Sequence, residues 1–265
     1  MNSKIVFFLS VLYVSILLLF SACENKNHCP VLKEQGIVDD YKYPIVPGTP
    51  EWEKFESHTE MLEVCNIPEQ ILSSMCTHGL VVTCMNYPLI VDILAFNYIQ
   101  TGYNSLTYGF NGLQELHNRP DALIEVMDYY RNYDFENIVT IYKQGDTYRA
   151  MDLVTKFFIT GVILSQEALL DQSNVLSRYE LVSLALIRHN DMKENPVIDW
   201  WICYSSNVNI MAKIMLFTHY NPFEEAVEKN PFLGHILEEK GKPLHLITDE
   251  EISEIIDYAK SFVNN

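Results

Sequence analysis

Basic residues are scarce in this chain: 18 Lys and Arg stand against 35 Asp and Glu, giving a net charge of −17 at neutral pH. So acidic a polypeptide repels phosphate backbones and anionic headgroups, which sets nucleic-acid binding aside and leaves solubility as the plain reading of the charge. Cys-x-x-Cys, closely paired histidines and His-Glu-x-x-His are all missing. Structural zinc and zinc-protease chemistry therefore have no sequence support, and no cofactor is implied. Gly-x-Ser-x-Gly, a phosphate-cradling Gly-rich loop and a dinucleotide fingerprint are missing as well,. Apolar and polar residues rarely alternate over more than four positions, so the usual mark of a half-buried strand is lacking too.

What is present begins at the N-terminus. Ile5 to Phe20 is an apolar run broken only by Ser10 and Ser15, with Lys4 in front of it. The run is short for a bilayer span, which needs about 20 apolar residues, and no basic stop-transfer cluster follows. Residues 1–22 are expected to be a cleaved signal peptide, and losing Lys4 with them makes the body one unit more negative. Leu19-Phe20-Ser21-Ala22-Cys23 resembles the lipobox of bacterial lipoproteins, although Phe20 stands where Leu is usual. That resemblance implies lipid attached to the Cys23 thiol, each buried methylene contributing about 0.8 kcal/mol of membrane attachment. An ordinary secretory signal with a chance cysteine is the competing reading. The implied partner is a lipid bilayer, reached through acylated Cys23, at the bacterial cell envelope, with the periplasmic and surface faces both open.

Residues 23–48, polar and carrying Pro30, Pro44, Pro47 and Gly48, read as a tether, and residues 49–265 as the folded body,. Beyond Cys23 the cysteines are Cys29, Cys65, Cys76, Cys84 and Cys203, an odd number for an oxidising compartment,. On one helix Cys76 and Cys84 would stand about 12 Å apart, too far to bridge. A Cys65–Cys76 disulfide across a helix turn is geometrically conceivable.

Helix signals dominate the body. Thr49-Pro50-Glu51 opens a short helix, His58 a second, Pro68 a third, and Thr77 caps a fourth that stops at Asn86-Tyr87-Pro88,. Leu89 to Ile99 is apolar nearly all round and predicts a buried central helix closed by Gly102. Further helices are expected over Ser105–His117, Asp121–Tyr133, Asp134–Tyr142, Tyr148–Leu170, Tyr179–His189, Val197–Tyr204, Asn209–His219, Phe223–Glu228, Pro231–Lys240 and Ile252–Val263,. The expected fold is all-α, about ten helices in antiparallel pairs, with a superhelical array as one arrangement.

Three stretches, Pro47-Gly48-Thr49-Pro50-Glu51-Trp52, Cys65-Asn66-Ile67-Pro68 and Cys84-Met85-Asn86-Tyr87-Pro88-Leu89, continue into Phe110-Asn111-Gly112-Leu113-Gln114-Glu115-Leu116. In that order they resemble a group of proteins from gut-dwelling anaerobic bacteria. The likeness runs from Pro47 to Ala122, implies a bacterial surface or periplasmic setting, and brings no activity with it.

Asn97, Gln100, Asn104, Asn111 and Gln114 lie among Tyr98, Tyr103, Tyr108 and Phe110. On one face these amides would line a groove suited to sugar hydroxyls or peptide backbone; equally, they can satisfy turns and helix ends. Trp200 and Trp201 sit in the densest aromatic cluster and are read either as core or, for one of the two, as a stacking platform. Acid–base pairs can be drawn from His117 with Glu115, His189 with Asp191, and His58 with Glu56 and Glu60, but 35 acids and eight histidines generate such pairs by chance,. Ser205 and Ser206 near His219 can be mistaken for hydrolase parts. The reading that follows is a membrane-anchored helical module for a protein or peptide partner, with glycan capture and then hydrolysis as alternatives.

Overall fold

The computed structural model describes residues 29–193, 201–239 and 246–264, with backbone alone for 193 and 201–204. Residues 1–22, read from sequence as a signal peptide, and Cys23, Trp200 and the side chains of Trp201 and Cys203 lie outside that description. Among the described residues there are fourteen α-helices, short 3-10 turns and no strand, so the chain is all-α. The helices are α1 (Cys29–Glu34), α2 (His58–Val64), α3 (Glu69–Ser74), α4 (Thr77–Met85), α5 (Ile99–Gly109), α6 (Asn111–Asn118) and α7 (Ala122–Arg131). They continue with α8 (Phe135–Lys143), α9 (Thr147–Leu164), α10 (Glu167–Leu170), α11 (Val175–Lys193), α12 (Trp201–Phe217), α13 (Asn221–Lys229) and α14 (Asp249–Val263).

Short polar side chains fix many of the starts. Ser57 accepts the Glu60 N–H, Asp134 that of Asn137 and Asp146 that of Arg149, each satisfying an amide that the first helical turn leaves without a partner,. At α14 the Thr248 hydroxyl accepts from the Glu251 N–H while the Glu251 carboxylate accepts from the Thr248 N–H, a reciprocal capping box,. Thr77 behaves differently. Cys76 occupies the capping position of α4, and the Thr77 hydroxyl donates to Asp121 at 2.7 Å, tying α4 to the start of α7.

Helices α9 and α12 form the centre. α9 buries Val154, Phe157, Phe158, Ile159, Val162 and Ile163, and packs against α7, α8 and α12. Phe157 stacks on Tyr130 and meets Phe135 edge-on, both with ring centroids 4.8 Å apart. Gly161 lets α9 close on α12, since a Cβ there would come within 2.8 Å of Ser206 Cβ. The two helices expected over Val197–Tyr204 and Asn209–His219 are continuous across 205–208 as α12. The polar residues at this junction are buried and bonded across the core: Asn207 accepts from the Tyr130 hydroxyl, and Asn209 Nδ2 donates to Ser165 Oγ at 2.7 Å. α11 and α14 complete the far side of α12.

Other helix expectations are corrected: Ser105–His117 is broken at the extended Phe110 between α5 and α6, and Pro231–Lys240 holds a 3-10 turn over Pro231–Gly234. Leu89–Ile99 is a 3-10 turn over Ile90–Ala95 followed by an extended break, with α5 starting at Ile99. Gly102 lies inside α5 rather than closing a helix. A Cβ on it would stand 2.3 Å from the Ile93 carbonyl oxygen, so glycine is what allows the two segments to lie together, one bearing on the other's backbone. The segment expected over Tyr148–Leu170 turns at Ser165 and Gln166, where the Ser165 N–H bonds back to Val162 and the short α10 takes over.

The conceivable Cys65–Cys76 pairing is not the one formed: Cys76 is bonded to Cys29, while Cys65 and Cys84 are free and buried. α3 separates Cys65 from Cys76, and Cys76 faces the N-terminal segment, whose Asp39 accepts its backbone N–H at 2.8 Å. Residues 29–48, assigned from sequence to the tether, include a stretch held on the body. Tyr41 N–H donates to Thr83 Oγ1 at 2.8 Å, and Tyr43 packs edge-on against Tyr87. Lys33 bridges Glu125 and Asp128 of α7 at 2.8 and 2.9 Å.

Candidate functional site

A cleft of about 660 Å³ opens between α5 and α6 on one side and the α9–α10 turn, Lys213 of α12 and Glu238 on the other. Its first wall follows from helical spacing. Gln100, Asn104, Thr107 and Tyr108 recur at three- and four-residue intervals on α5 and so project from one stripe,. α6 adds Gln114 and His117 at the same interval. The opposite wall is Ser165, Gln166, Glu167 and Ala168, placed there by the turn that ends α9.

The amides form a linked row. Gln100 Nε2 donates to Asn104 Oδ1 at 2.9 Å and to Gln166 Oε1 at 2.8 Å, bridging the two walls. Gln166 Nε2 donates to the Val162 carbonyl at 2.7 Å, and Gln114 Nε2 to the carbonyls of Thr107 and Tyr108 at 2.9 and 3.0 Å. Tyr108 itself is 90 % exposed, leaving its ring uncovered beside these amides.

Deeper in, the Tyr103 hydroxyl and His117 Nε2 are 2.6 Å apart. Burial raises the phenol well above its ordinary value and lowers the imidazole below its own, so both are neutral at pH 7 and the phenol is the donor,. At the far end Glu238 accepts from both Lys213 and His235, the latter at 2.8 Å. Burial lowers the Lys213 ammonium from its usual range while nearby Glu167 pulls the other way. The backbone at this end is constrained: Leu237 holds φ at 69°, in the left-handed region, and its carbonyl accepts the Gln100 N–H at 3.0 Å,.

Of the residues expected to form a groove, Gln100, Tyr103 and Gln114 come together here, with Asn104 and Tyr108. Asn97 is exposed in the bend ahead of α5 and is not among the cleft residues. Asn111 has a structural task, its Oδ1 accepting the Ile67 N–H at 2.9 Å and its Nδ2 donating to the Ile67 carbonyl at 2.7 Å. Trp200 and the Trp201 side chain fall outside the described residues. Gln166, Glu167, Lys213 and Glu238 were not anticipated. The polar pair Ser165-Gln166 inside an otherwise apolar stretch was the signal for the first of them.

The acid–base pairs drawn from sequence part company. Glu115 pairs with Arg119 while His117 turns to Tyr103. His189 is buried and Asp191 pairs with Arg188. His58 reaches Asp92 at 2.8 Å, and Glu60 accepts the Glu56 N–H. Ser205 and Ser206 are buried in α12, whereas His219 is exposed beyond its end and paired with Glu224. The helix alone separates Ser206 from Phe217 by about 16 Å.

No family model, curated protein or solved structure matches this chain. The cleft is accordingly read from its own chemistry: linked amides, two carboxylates, an ammonium and one uncovered aromatic ring.

Proposed function

We propose that this chain is a lipid-anchored binding protein of the bacterial cell envelope, acylated at Cys23, whose helical body captures a hydroxyl-rich ligand of the saccharide class. The observation that carries the ligand reading is the row Gln100, Asn104, Gln166 beside the uncovered ring of Tyr108. Amides supply paired donors and acceptors that match neighbouring hydroxyls, and a flat ring covers the apolar face of a sugar. The leader and the lipobox-like Leu19–Cys23 support the envelope setting. Among the described residues no helix is long and apolar enough to cross a membrane.

The test is a glycan array followed by calorimetry with plant and mucosal polysaccharides, using the unsubstituted chain and Tyr108→Ala. Binding that Tyr108→Ala weakens by about three- to tenfold is expected from loss of one stacked ring. Flat signals across the panel would remove the saccharide reading. Intact-mass analysis showing an unmodified thiol at Cys23 would remove the anchor.

A protein partner is the second reading. Val91, Leu94 and Phe96, on and just after the turn before α5, are 49, 40 and 39 % exposed, an apolar grouping away from the polar cleft,. Pull-downs with purified envelope proteins, compared between the unsubstituted chain and Leu94→Asp, decide it; capture that Leu94→Asp leaves untouched counts against this surface.

A further inference from the structure

The N-terminal segment crosses the start of α4 and brings Asp39 beside Cys76 and His78, with Cys29 joined to that group through its bond to Cys76. Cys29 opens α1 and is bonded to Cys76, the residue that precedes α4, with their Cα atoms 5.5 Å apart. Asp39 uses Oδ2 to accept the Cys76 N–H. Its other oxygen, Oδ1, is buried with no hydrogen-bond partner among the described residues, and His78 Nε2 lies 3.9 Å from it. Ligand atoms of Asp39, Cys76 and His78 all fall within 4.8 Å of one another. Gly79 makes room for the carboxylate, since a Cβ there would stand 2.1 Å from Asp39 Oδ1.

We propose that reduction of the Cys29–Cys76 disulfide turns this cluster into a binding site for a divalent cation of the zinc class, with Cys29, Asp39, Cys76 and His78 as ligands. A dithiol reductant supplies the two electrons and two protons. The S–S bond breaks, two thiols form, and the reductant closes to its own disulfide. The cation then displaces the thiol protons, because the ligating form is the thiolate. Two thiolates, an imidazole and a carboxylate make a tetrahedral donor set, and thiolate softness favours Zn²⁺ over Mg²⁺ or Ca²⁺.

The geometry needs a modest contraction. Metal–donor distances of about 2.0–2.3 Å place tetrahedral ligand atoms roughly 3.3–3.8 Å apart. Asp39 Oδ1 and His78 Nε2 are close to that now. His78 Nε2 is also 3.0 Å from the Ile37 carbonyl, so the imidazole either gives up that contact or ligates through Nδ1. The sequence concealed the set because only Cys76 and His78 are near neighbours; Cys29 and Asp39 arrive with the docked segment. Cys65 and Cys84 are weak competitors, since burial pushes both thiols up, Cys65 to about 11. The consequence is that the N-terminal segment stays pinned to α4 in either redox state, by a covalent bond when oxidised and by the cation when reduced.

The test titrates Co²⁺, a spectroscopic stand-in for Zn²⁺, into the full chain in detergent, oxidised and after anaerobic phosphine reduction. The reduced chain is expected to take one Co²⁺ with tetrahedral d–d and thiolate-to-cobalt charge-transfer bands that Zn²⁺ abolishes; the oxidised chain gives neither. Zn²⁺ should also shield Cys29 and Cys76 from alkylation, read by peptide mass. His78→Ala should weaken Co²⁺ binding by at least about tenfold, a first ligand mattering no less than an outer-shell partner. A reduced chain without a tetrahedral cobalt spectrum overturns the proposal, as does an unchanged spectrum in Cys29→Ser with Cys76→Ser. Should a variant lose helicity by circular dichroism, alkylation shielding in the unsubstituted chain decides.

Discussion

Tyr103 donates its phenolic hydrogen to Nε2 of His117 across 2.6 Å, joining α5 to α6 beneath the cleft. Because burial holds the imidazole below its ordinary value, the unfolded chain binds a proton there more readily than the folded one,. The bond's contribution is therefore complete above about pH 6.5 and is lost as the pH falls through the lower folded-state value. Melting temperature recorded from pH 8 to pH 5 should drop on the acid side, and His117→Gln should flatten that part of the profile. Tyr103→Phe, which leaves the nitrogen without its donor, should cost about 1 kcal/mol in urea denaturation. Equal acid sensitivity in His117→Gln would show that the loss comes from other groups.

The Cys29–Cys76 bond spans 47 residues of sequence. Cross-linking at that separation restricts the unfolded chain enough to stabilise the fold by up to about 4 kcal/mol. In the presence of a chelator, Cys29→Ser should lower the denaturant midpoint by an amount of that order. Proteolysis mapped by mass spectrometry should then open first between residues 29 and 48, where the segment is left with side-chain and backbone ties at Lys33, Ile37, Asp39, Tyr41 and Tyr43. First cleavage elsewhere would mean that the bond does not hold this segment.

Gly102 admits the Ile93 backbone to the surface of α5. Gly102→Ala gains helix propensity of about 1 kcal/mol, but its Cβ meets a carbonyl oxygen that cannot rotate away, and overpacking of this kind costs about 1–3 kcal/mol. A net loss of stability is expected by thermal unfolding. A stabilised variant would show that the two segments separate at little cost.

Thr248→Ala removes the hydroxyl that accepts the Glu251 N–H at the start of α14. A loss of about 1 kcal/mol is expected, measurable by chemical denaturation, with the helical circular dichroism of the native state nearly unchanged.

Capping chemistry was legible in the sequence because it is local. Thr248 with Glu251, Asp134 before Phe135 and Pro222 after Asn221 each act within one helical turn, and the structure places helix starts at all three. The apolar run Leu89–Ile99 misled because hydrophobicity without periodicity does not distinguish a buried helix from a 3-10 turn followed by a break, and Val91 and Leu94 are in fact exposed over nearly half their surface,. Gly102 carried the opposite meaning from the one its position suggested, since a close approach to another segment's backbone leaves no local trace. The cleft was half visible. Gln100, Asn104 and Gln114 share a helical spacing that sequence can show, whereas Gln166, Lys213 and Glu238 join them only through tertiary packing. The partner of Cys76 was hidden for the same reason, lying beyond α2 and α3 in a stretch whose prolines suggested a free spacer.

Docking of the segment that begins at Cys29 shortens the leash on which an acylated Cys23 would hold this protein. Six peptide units lie between those two cysteines, a reach of at most about 21 Å even when drawn out straight,. A body carrying so much negative charge would then hover within a few Debye lengths of the headgroups, and a bilayer rich in anionic lipid would push it toward an upright, outward-facing stance.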